Sequence, residues 1–314
     1  MTPLGQTTPA HIAPTFSIVM PAYNAGATVG PAIESVLAQT RGDFELIVVD
    51  DGSTDDTVDR VQPYLFDGRV KFISQPNLGP SSARNTAIAA ARGTYASLLD
   101  SDDLWLPHYL EVMAATLAAA PAAAVAYTDA WALEDETRRI ARATVLSSWH
   151  PTSVPKEPEL FLRALLELGN FVYVSATIRR SVLAEVGPFR LGVEGSEDYE
   201  MWLRIAAAGH RFVRCPGRLA IYRRREGQRS PERRAQMVSA GDSVFQIVAE
   251  EYDIPGDVRA LARQKLPMAR LAPKLPRRVP RLLKRPYKAL SRIRHFYLRP
   301  PTEVRQAFPD LRSL

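Results

Sequence analysis

Three acidic groups of this 314-residue chain are placed to do chemistry: Asp50-Asp51, Asp100-Ser101-Asp102-Asp103 and Glu197-Asp198. Asp100 and Asp102 leave an apolar run at i and i+2, with Ser101 between them. Two carboxylates so placed can point at one hard cation, Mg2+ or Mn2+, that also takes oxygens of a substrate diphosphate. The same acids can instead cap a helix at Leu104 or face water. An Asp at 50 or 51 can accept hydrogen bonds from the base or ribose of a nucleotide, or form an Asx turn ahead of a helix. Glu197 and Asp198 open a helical stretch, where acids are stabilised by the helix dipole or can serve as a general base. Arg84, shortly after Gly79-Pro80-Ser81-Ser82, offers a guanidinium to a phosphate, or is an ordinary exposed helical arginine. No histidine has the company of a metal ligand set; His108, near the acidic cluster, is expected to face outward from a helix start.

The elements that must hold these residues can be read from periodicity. Phe16 to Met20, Phe44 to Val49, Val70 to Ser74 and Tyr95 to Leu99 are short apolar runs expected as buried strands. Helices are expected between them. Thr28 is placed to cap the first, whose buried face would carry Val29, Ile33, Val36 and Leu37. Ser53 with Asp56 signals the start of the second. The third begins at Pro80 and is expected to end at Arg92-Gly93, with Gly in the left-handed position. This alternation predicts a mostly parallel, Rossmann-like α/β sheet flanked by helices. Ligands of such sheets bind at the carboxyl ends of the strands, where Tyr23-Asn24, Asp50-Asp51 and Asp100 to Asp103 all fall. Farther on, a helix is expected over 107–119, strands over 123–127, 171–178, 211–214 and 219–223, and helices over 160–168 and 197–208. Residues 134–158 read as a polar loop.

Composition limits the alternatives. No stretch approaches the ~20 apolar residues of a membrane-spanning helix, and the N-terminus lacks the pattern of a secretory signal. The lone cysteine, Cys215, excludes an intrachain disulfide, reads as a small buried residue and fits a reducing, cytoplasmic compartment. Charge is unevenly spread: residues 258–314 carry 16 Lys/Arg against 2 Asp/Glu, and the rest of the chain 24 against 32. The organisation expected is a lead over 1–15, a catalytic domain over 16–225, a helical extension over 226–265, and a basic, Pro-rich amphipathic tail over 266–314.

Seven segments, in order, resemble the inverting family 2 glycosyltransferases of the GT-A fold: FSIVMPAYN, ESVLAQT, FELIVVDDGSTDDT, QPNLGPSSARNTAI, GTYASLLDSDDLWLP, SATIRRSVLAEVGPFR and SEDYEMWLRIAAAGHRF. They cover about residues 16–223. The resemblance implies that Pro21, Ala22 and Tyr23 line a nucleobase pocket, with Asp51 binding the base and Asp50 beside it. It further implies that Arg84 faces the nucleotide, that Asp100 and Asp102 form an Asp-x-Asp motif with Asp102 on the metal, and that Asp198 is the catalytic base with Glu197 its neighbour. The donor would be a nucleotide diphosphate sugar, UDP preferred, and the acceptor a saccharide or lipid-linked glycan. Where relatives carry a His after a late Tyr-Arg, this chain has Arg225, which cannot ligate a cation but can hold a diphosphate. A nucleotidyl- or phosphoryl-transfer enzyme on a related sheet would call for a phosphate-cradling Gly-Lys-Ser/Thr loop, which this sequence lacks. A nucleic-acid-binding role through the tail would leave the seven segments unexplained.

Between Val279 and Leu298 apolar residues interleave with Arg and Lys, the pattern of a segment lying on an anionic membrane surface. The same pattern suits a solvated basic tail or one docked on the protein's own acidic surface; on the membrane reading the enzyme is expected to lie peripherally on the cytoplasmic face. The full chain is expected to float with anionic vesicles in a density gradient and not with neutral ones. Failure to float with either would remove the membrane assignment.

Overall fold

Runs of β-branched and large apolar residues bounded by turn formers make strands that need cover on both faces. The computed structural model describes residues 13–134, 139–141, 155–224, 231–271 and 306. It opens with the expected alternation: β1 (Phe16–Ala22), α1 (Val29–Leu37), β2 (Phe44–Asp50), α2 (Thr57–Val61), β3 (Val70–Ser74), α3 (Pro80–Ala90) and β4 (Tyr95–Leu98). These four strands lie parallel in the order β3-β2-β1-β4, and β2, central among them, is buried throughout. In register Ala22 faces Asp50 and Asp50 faces Ser74, so the strands end level and their following loops meet at one edge.

The second half is mixed. It runs β5 (Leu104–Trp105), α4 (Tyr109–Ala119), β6 (Ala123–Glu134), β7 (Arg139–Ala141), α5 (Pro158–Leu168), β8 (Ala176–Arg179), α6 (Arg180–Val186), α7 (Glu197–Ala207) and β9 (Arg211–Arg224). β8 joins the parallel set antiparallel to β4, and the sheet continues through β6 and β9 to β5, with β7 on β6. Two helices follow, α8 (Pro231–Glu251) and α9 (Gly256–Leu271). No helix among the described residues is long and apolar enough to cross a membrane.

Several local expectations are corrected. The two short strands read over 211–214 and 219–223 are one strand, β9, and the strand read over 123–127 continues to Glu134. The two pair in parallel through register shifts near Ala123, Tyr127 and Asp129, and these irregularities hide the period of two that would reveal long strands. The stretch 171–178 is strand only from Ala176, and β7 lies inside the segment read as a loop. Helix starts are capped less than expected. Thr28 stands at the N-cap of α1 but its hydroxyl donates to the Ala25 carbonyl, and Asp56, not Ser53, precedes α2.

Gly93 is not a left-handed cap either, since α3 ends at Ala90. A Cβ at Gly93 would stand 2.6 Å from the Ser17 nitrogen, so close backbone approach is what requires glycine. The Gly93 N–H donates to Ser17 Oγ at 2.8 Å, and Ser17 Oγ donates to the buried Glu45 at 2.7 Å. Burial alone would raise the Glu45 carboxyl. Donors from Lys71, Ser17 and Arg92 outweigh it and bring it down to about 2. This knot fastens the end of the sheet remote from the acidic clusters.

Helix α7 packs through Met201, Trp202, Leu203 and Ile205, all fully buried. Glu200 on the same helix has no exposed surface, yet it is an acid. It accepts hydrogen bonds from Tyr252 at 2.6 Å and Arg204 at 3.0 Å, with Arg190 at 3.5 Å, so the end of α8 is clamped to α7. Replacing one member of a buried charged set strands the others at a cost of about 3–5 kcal/mol. Glu200→Ala is therefore expected to lose most of that range in urea unfolding. Tyr252→Phe, which removes one donor to that carboxylate and leaves the ion pairs, is expected to lose about 1.5–3 kcal/mol.

Candidate active site

The loop after β1 is tied to the loop after β2. The Asn24 N–H donates to Ser53 Oγ at 3.0 Å and the Asn24 side-chain oxygen accepts from the Thr54 N–H at 2.8 Å. The Ala25 N–H donates to Thr57 Oγ1 at 2.7 Å and the Gly26 N–H to Asp55 at 3.0 Å. Asn24 takes a positive φ of 47°, which Asn tolerates better than most residues. This fixed corner leaves Pro21 partly covered and Ala22 buried, and it presents the Tyr23 ring half exposed at the rim.

Asp50 and Asp51 are both buried. Asp50 faces the Ser53 N–H at 3.3–3.4 Å, the Asx-type contact. Asp51 accepts three hydrogen bonds, from Gln75 Nε2 at 2.7 Å, the Leu78 N–H at 3.0 Å and the Gly79 N–H at 2.8 Å. Its first structural task is thus to hold the loop that leads into α3. Glycine is required at 52 as well, because a Cβ there, at φ +73°, would stand 2.8 Å from the Asn77 nitrogen of that loop.

Arg84 is not the exposed helical arginine that composition alone would favour. It is 4% exposed, and its Nη2 donates to Asp100 at 2.6 Å while its Nη1 donates to Glu197 at 2.8 Å. The guanidinium also lies 5.6 Å from the Phe189 ring. Burial by itself would lower its pKa, but the Asp100 and Glu197 charges overcome that and raise it. One buried fork therefore ties the acids that follow β4 to the acids that open α7, and Arg84 itself lies 113 residues from Glu197.

No helix begins at Leu104, which instead pairs with Ile221 in β5, so Asp100 to Asp103 are not helix-capping acids. Carboxylate oxygens of Asp100, Asp102 and Asp103 lie within 4.8 Å of one another. Two oxygens on opposite sides of a Mg2+ ion stand about 4.2 Å apart, so a hard cation fits this set after a small contraction. Ser101 and Asp103 are buried, while Asp100 and Asp102 keep partial exposure. Asp103 accepts from the Tyr173 hydroxyl and from the Arg223 N–H, the latter at 3.0 Å, so it also joins the end of β9 to the cluster. Burial, with the Asp102 and Asp100 charges added, pushes its carboxyl well above the ordinary range. A divalent cation would relieve that repulsion, which is the physical sense in which the residues suit one.

At the start of α7, Glu197 and Asp198 behave oppositely. Burial would raise Glu197, but Arg84 and its other donors hold it below the usual carboxylate range; the Gly195 N–H donates to it at 2.6 Å. Asp198 is pushed up to about 6, chiefly by burial and then by the Glu197 charge. It keeps some contact with solvent. Its Oδ1 accepts from the Tyr199 N–H at 2.7 Å and its Oδ2 from Asn170 Nδ2 at 2.9 Å. The Glu194 side chain lies against Gly79, which brings the approach to α7 beside the approach to α3. His108 is exposed and pairs with Glu111, as expected of a histidine without a site role.

Residues 17–187 match the model of glycosyl transferase family 2. The chain belongs to that family. A succinoglycan biosynthesis protein, ExoO, of Rhizobium meliloti is 31% identical over 263 residues, covering 81% of this chain and 73% of that protein. A UDP-Glc:alpha-D-GlcNAc-diphosphoundecaprenol beta-1,3-glucosyltransferase, WfgD, of Escherichia coli is 43% identical over 97 residues, covering 31% of this chain and 38% of that protein. The chain spans only 15% of the Escherichia coli chondroitin synthase, to which it is 47% identical over 100 residues. Among solved structures, S. aureus TarS 1-349 in complex with UDP-GlcNAc aligns with a TM-score of 0.64 at 19% identity, over 82% of this chain and 73% of that one. The mannosyltransferase PcManGT of Pyrobaculum calidifontis, in complex with GDP-Man and Mn2+, aligns with a TM-score of 0.59 at 19% identity, over 85% and 76%. At that identity the likeness is one of fold, and it agrees with the α/β architecture read from the sequence.

The structure thus gathers Asp100, Asp102, Arg84, Glu197 and Asp198 in one region, with Asp51 and Tyr23 bordering it through the α3 loop and the β1 corner. Arg225 lies outside the described residues, as does the tail segment 279–298. Sequence reading missed Gln75, Asn170 and Tyr173 as participants, and it named Asp103 only as part of the acidic run, without a role of its own. Arg84→Met is expected to lower unfolding stability by about 3–5 kcal/mol, because two buried carboxylates lose their cation. Arg84→Lys, which keeps the charge but cannot reach both acids with a planar fork, is expected to recover part of the loss in the same urea titration.

Proposed function

We propose that this chain transfers a sugar from a UDP-sugar to an acceptor hydroxyl with inversion at the anomeric carbon, in the synthesis of a cell-surface polysaccharide or glycolipid. The observation that carries the reading is the Arg84 bridge. It sets the carboxylates suited to a cation and a diphosphate beside a carboxylate suited to take a proton. A single in-line displacement needs those two functions on either side of the reacting carbon, and one displacement inverts the configuration.

In this reading Tyr23, Pro21 and Ala22 border the base, Asp51 with Asp50 meets its edge, and Asp102 with Asp100 would hold Mg2+ or Mn2+. The ion supplies neutralisation of the charge developing on the nucleoside diphosphate as it leaves. Arg84 keeps Asp100 and Glu197 in place, and Arg225 is assigned to the diphosphate. Asp198 takes the proton of the acceptor hydroxyl during attack. A carboxyl raised to about 6 is ionised at neutral pH yet more basic than an exposed aspartate, as that step requires. UDP is favoured by WfgD and by the UDP-GlcNAc complex of TarS; the GDP-Man complex of PcManGT makes GDP the first competitor to test. A saccharide or lipid-linked acceptor fits the names of ExoO and WfgD, and the basic tail would bring the enzyme to the cytoplasmic face where such an acceptor lies.

A thermal-shift panel of UDP, dTDP, GDP and CDP, each with and without Mn2+, tests the donor site. Ligand at about 100 times its Kd should stabilise by about 2.7 kcal/mol. A Mn2+-dependent shift for UDP that vanishes in Asp102→Ala is the expected result; a shift confined to GDP would change the donor, and none at all would defeat the reading. Turnover is expected to fall as pH drops through about 6, because the base must be ionised to work. Asp198→Asn is expected to lose about 10²–10⁴-fold in rate with nucleotide binding retained.

A further inference from the structure

Asp198 receives a hydrogen bond from outside its own helix, and the donor is held by structure on both sides. Gly169, at φ +86°, turns the chain out of α5, and its N–H closes on the Leu165 carbonyl at 2.9 Å. Asn170 follows directly. Its Oδ1 accepts from the Val172 N–H at 3.2 Å, which decides the orientation of the amide and leaves Nδ2 to face Asp198 Oδ2 at 2.9 Å. The next residue of α7, Tyr199, donates its hydroxyl to the Leu165 carbonyl at 2.8 Å. The end of α5 therefore grips the first turn of α7 at two consecutive residues, and one of them is the proposed base.

We propose that Asn170 is the positioning residue of the base: its amide fixes the rotation of the Asp198 carboxylate and favours its ionised form without placing a charge beside it. The inference rests on the reading of Asp198 as the base. The two oxygens of Asp198 each take one donor, the Tyr199 N–H and the Asn170 amide, and an ionised carboxylate retains lone pairs on both for an incoming hydroxyl proton. Charge already acts on the group from two sides, Glu197 raising and Arg84 lowering its proton affinity, with burial the largest influence. A Lys or Arg at 170 would strip the carboxylate of basicity, and an Asp would repel it. A neutral donor orients it and leaves it basic.

The test is to titrate Asp198 directly by carboxyl-carbon NMR of aspartate-labelled full-length protein, its resonance assigned by loss in Asp198→Asn. UDP release from UDP-GlcNAc with Mn2+ is followed over the same pH range. A hydrogen bond to a charged group contributes about 1.5 kcal/mol or more, so Asn170→Ala is expected to raise the Asp198 midpoint by about one pH unit. The acidic limb of UDP release should move with it, while the Mn2+-dependent thermal shift by UDP stays as in the wild type. Asn170→Ser keeps a hydroxyl for the Val172 N–H but cannot reach Asp198; it carries the same expectation should the alanine variant not fold. An unchanged midpoint in folded Asn170 variants, with Asp198→Asn inactive, overturns the role of Asn170 alone. Wild-type UDP release by Asp198→Asn overturns the base assignment beneath it.

Discussion

The site depends on one buried guanidinium. Arg84 is nearly sealed from water, and a cation in that position survives only if its hydrogen-bonding edge is met by anions. Asp100 and Glu197 meet it, each on a different terminal nitrogen. The planar fork allows this where a lysine ammonium would not, because two donors diverge from one rigid group. The consequence reaches both ways. The strand-end acids of β4 and the first turn of α7 cannot drift apart without stranding a buried charge, so the two chemical halves of the site move as one body.

The rest of the fold serves that bridge. Level strand ends bring the β1, β2 and β3 loops to one edge, and Asp51 spends its carboxylate on the loop that launches α3, the helix carrying Arg84. The other partner, α7, is held from behind by its fully buried apolar face and by Glu200, whose contacts with Arg190, Arg204 and Tyr252 fasten α8 to it. At the far end of the sheet the Ser17, Glu45 and Arg92 contacts fix the chain where it leaves α3 for β4. Polar groups are thus concentrated where loops and helices must keep register with strands, and the polar residues buried inside strands are paired, as Ser97 is with Thr177 and Asp129 with Arg214.

How much of this could be read in advance follows from how local each cause is. β2, Phe44–Asp50, is legible because a central parallel strand runs apolar from Leu46 to Val49 and stops at acids. The acidic runs 50–51 and 100–103 are legible as strand-end residues for the same reason. β6 and β9 are not, since their register shifts break the periodicity that would betray them. Gly93 is legible as a punctuation mark but not by cause, because the Ser17 backbone that forbids a side chain there lies 76 residues away. Arg84 carries no local sign of burial, as its partners are 16 and 113 residues distant. Asn170, Gln75 and Tyr173 are single polar residues whose roles exist only through partners 24 to 70 residues off, and no spacing rule reaches so far.

Two acids adjacent on one helix, Glu197 and Asp198, show how this arrangement separates roles without separating residues. Successive side chains on a helix point about 100° apart, so one meets Arg84 and the other meets Asn170. Glu197, paired with a cation and with the Gly195 N–H, is held ionised and serves as a strut. Its fixed negative charge then acts on Asp198, which burial has already made reluctant to ionise and whose side-chain donor, Asn170, is neutral. The strut thereby raises the basicity of its neighbour, while the Arg84 charge, nearer to Glu197, limits the rise. Removing the cation would leave two unpaired acids on one turn competing for a proton. The guanidinium that joins the two halves of the site is thus also what lets one acid of the pair stay a structural anion while the other keeps a raised proton affinity.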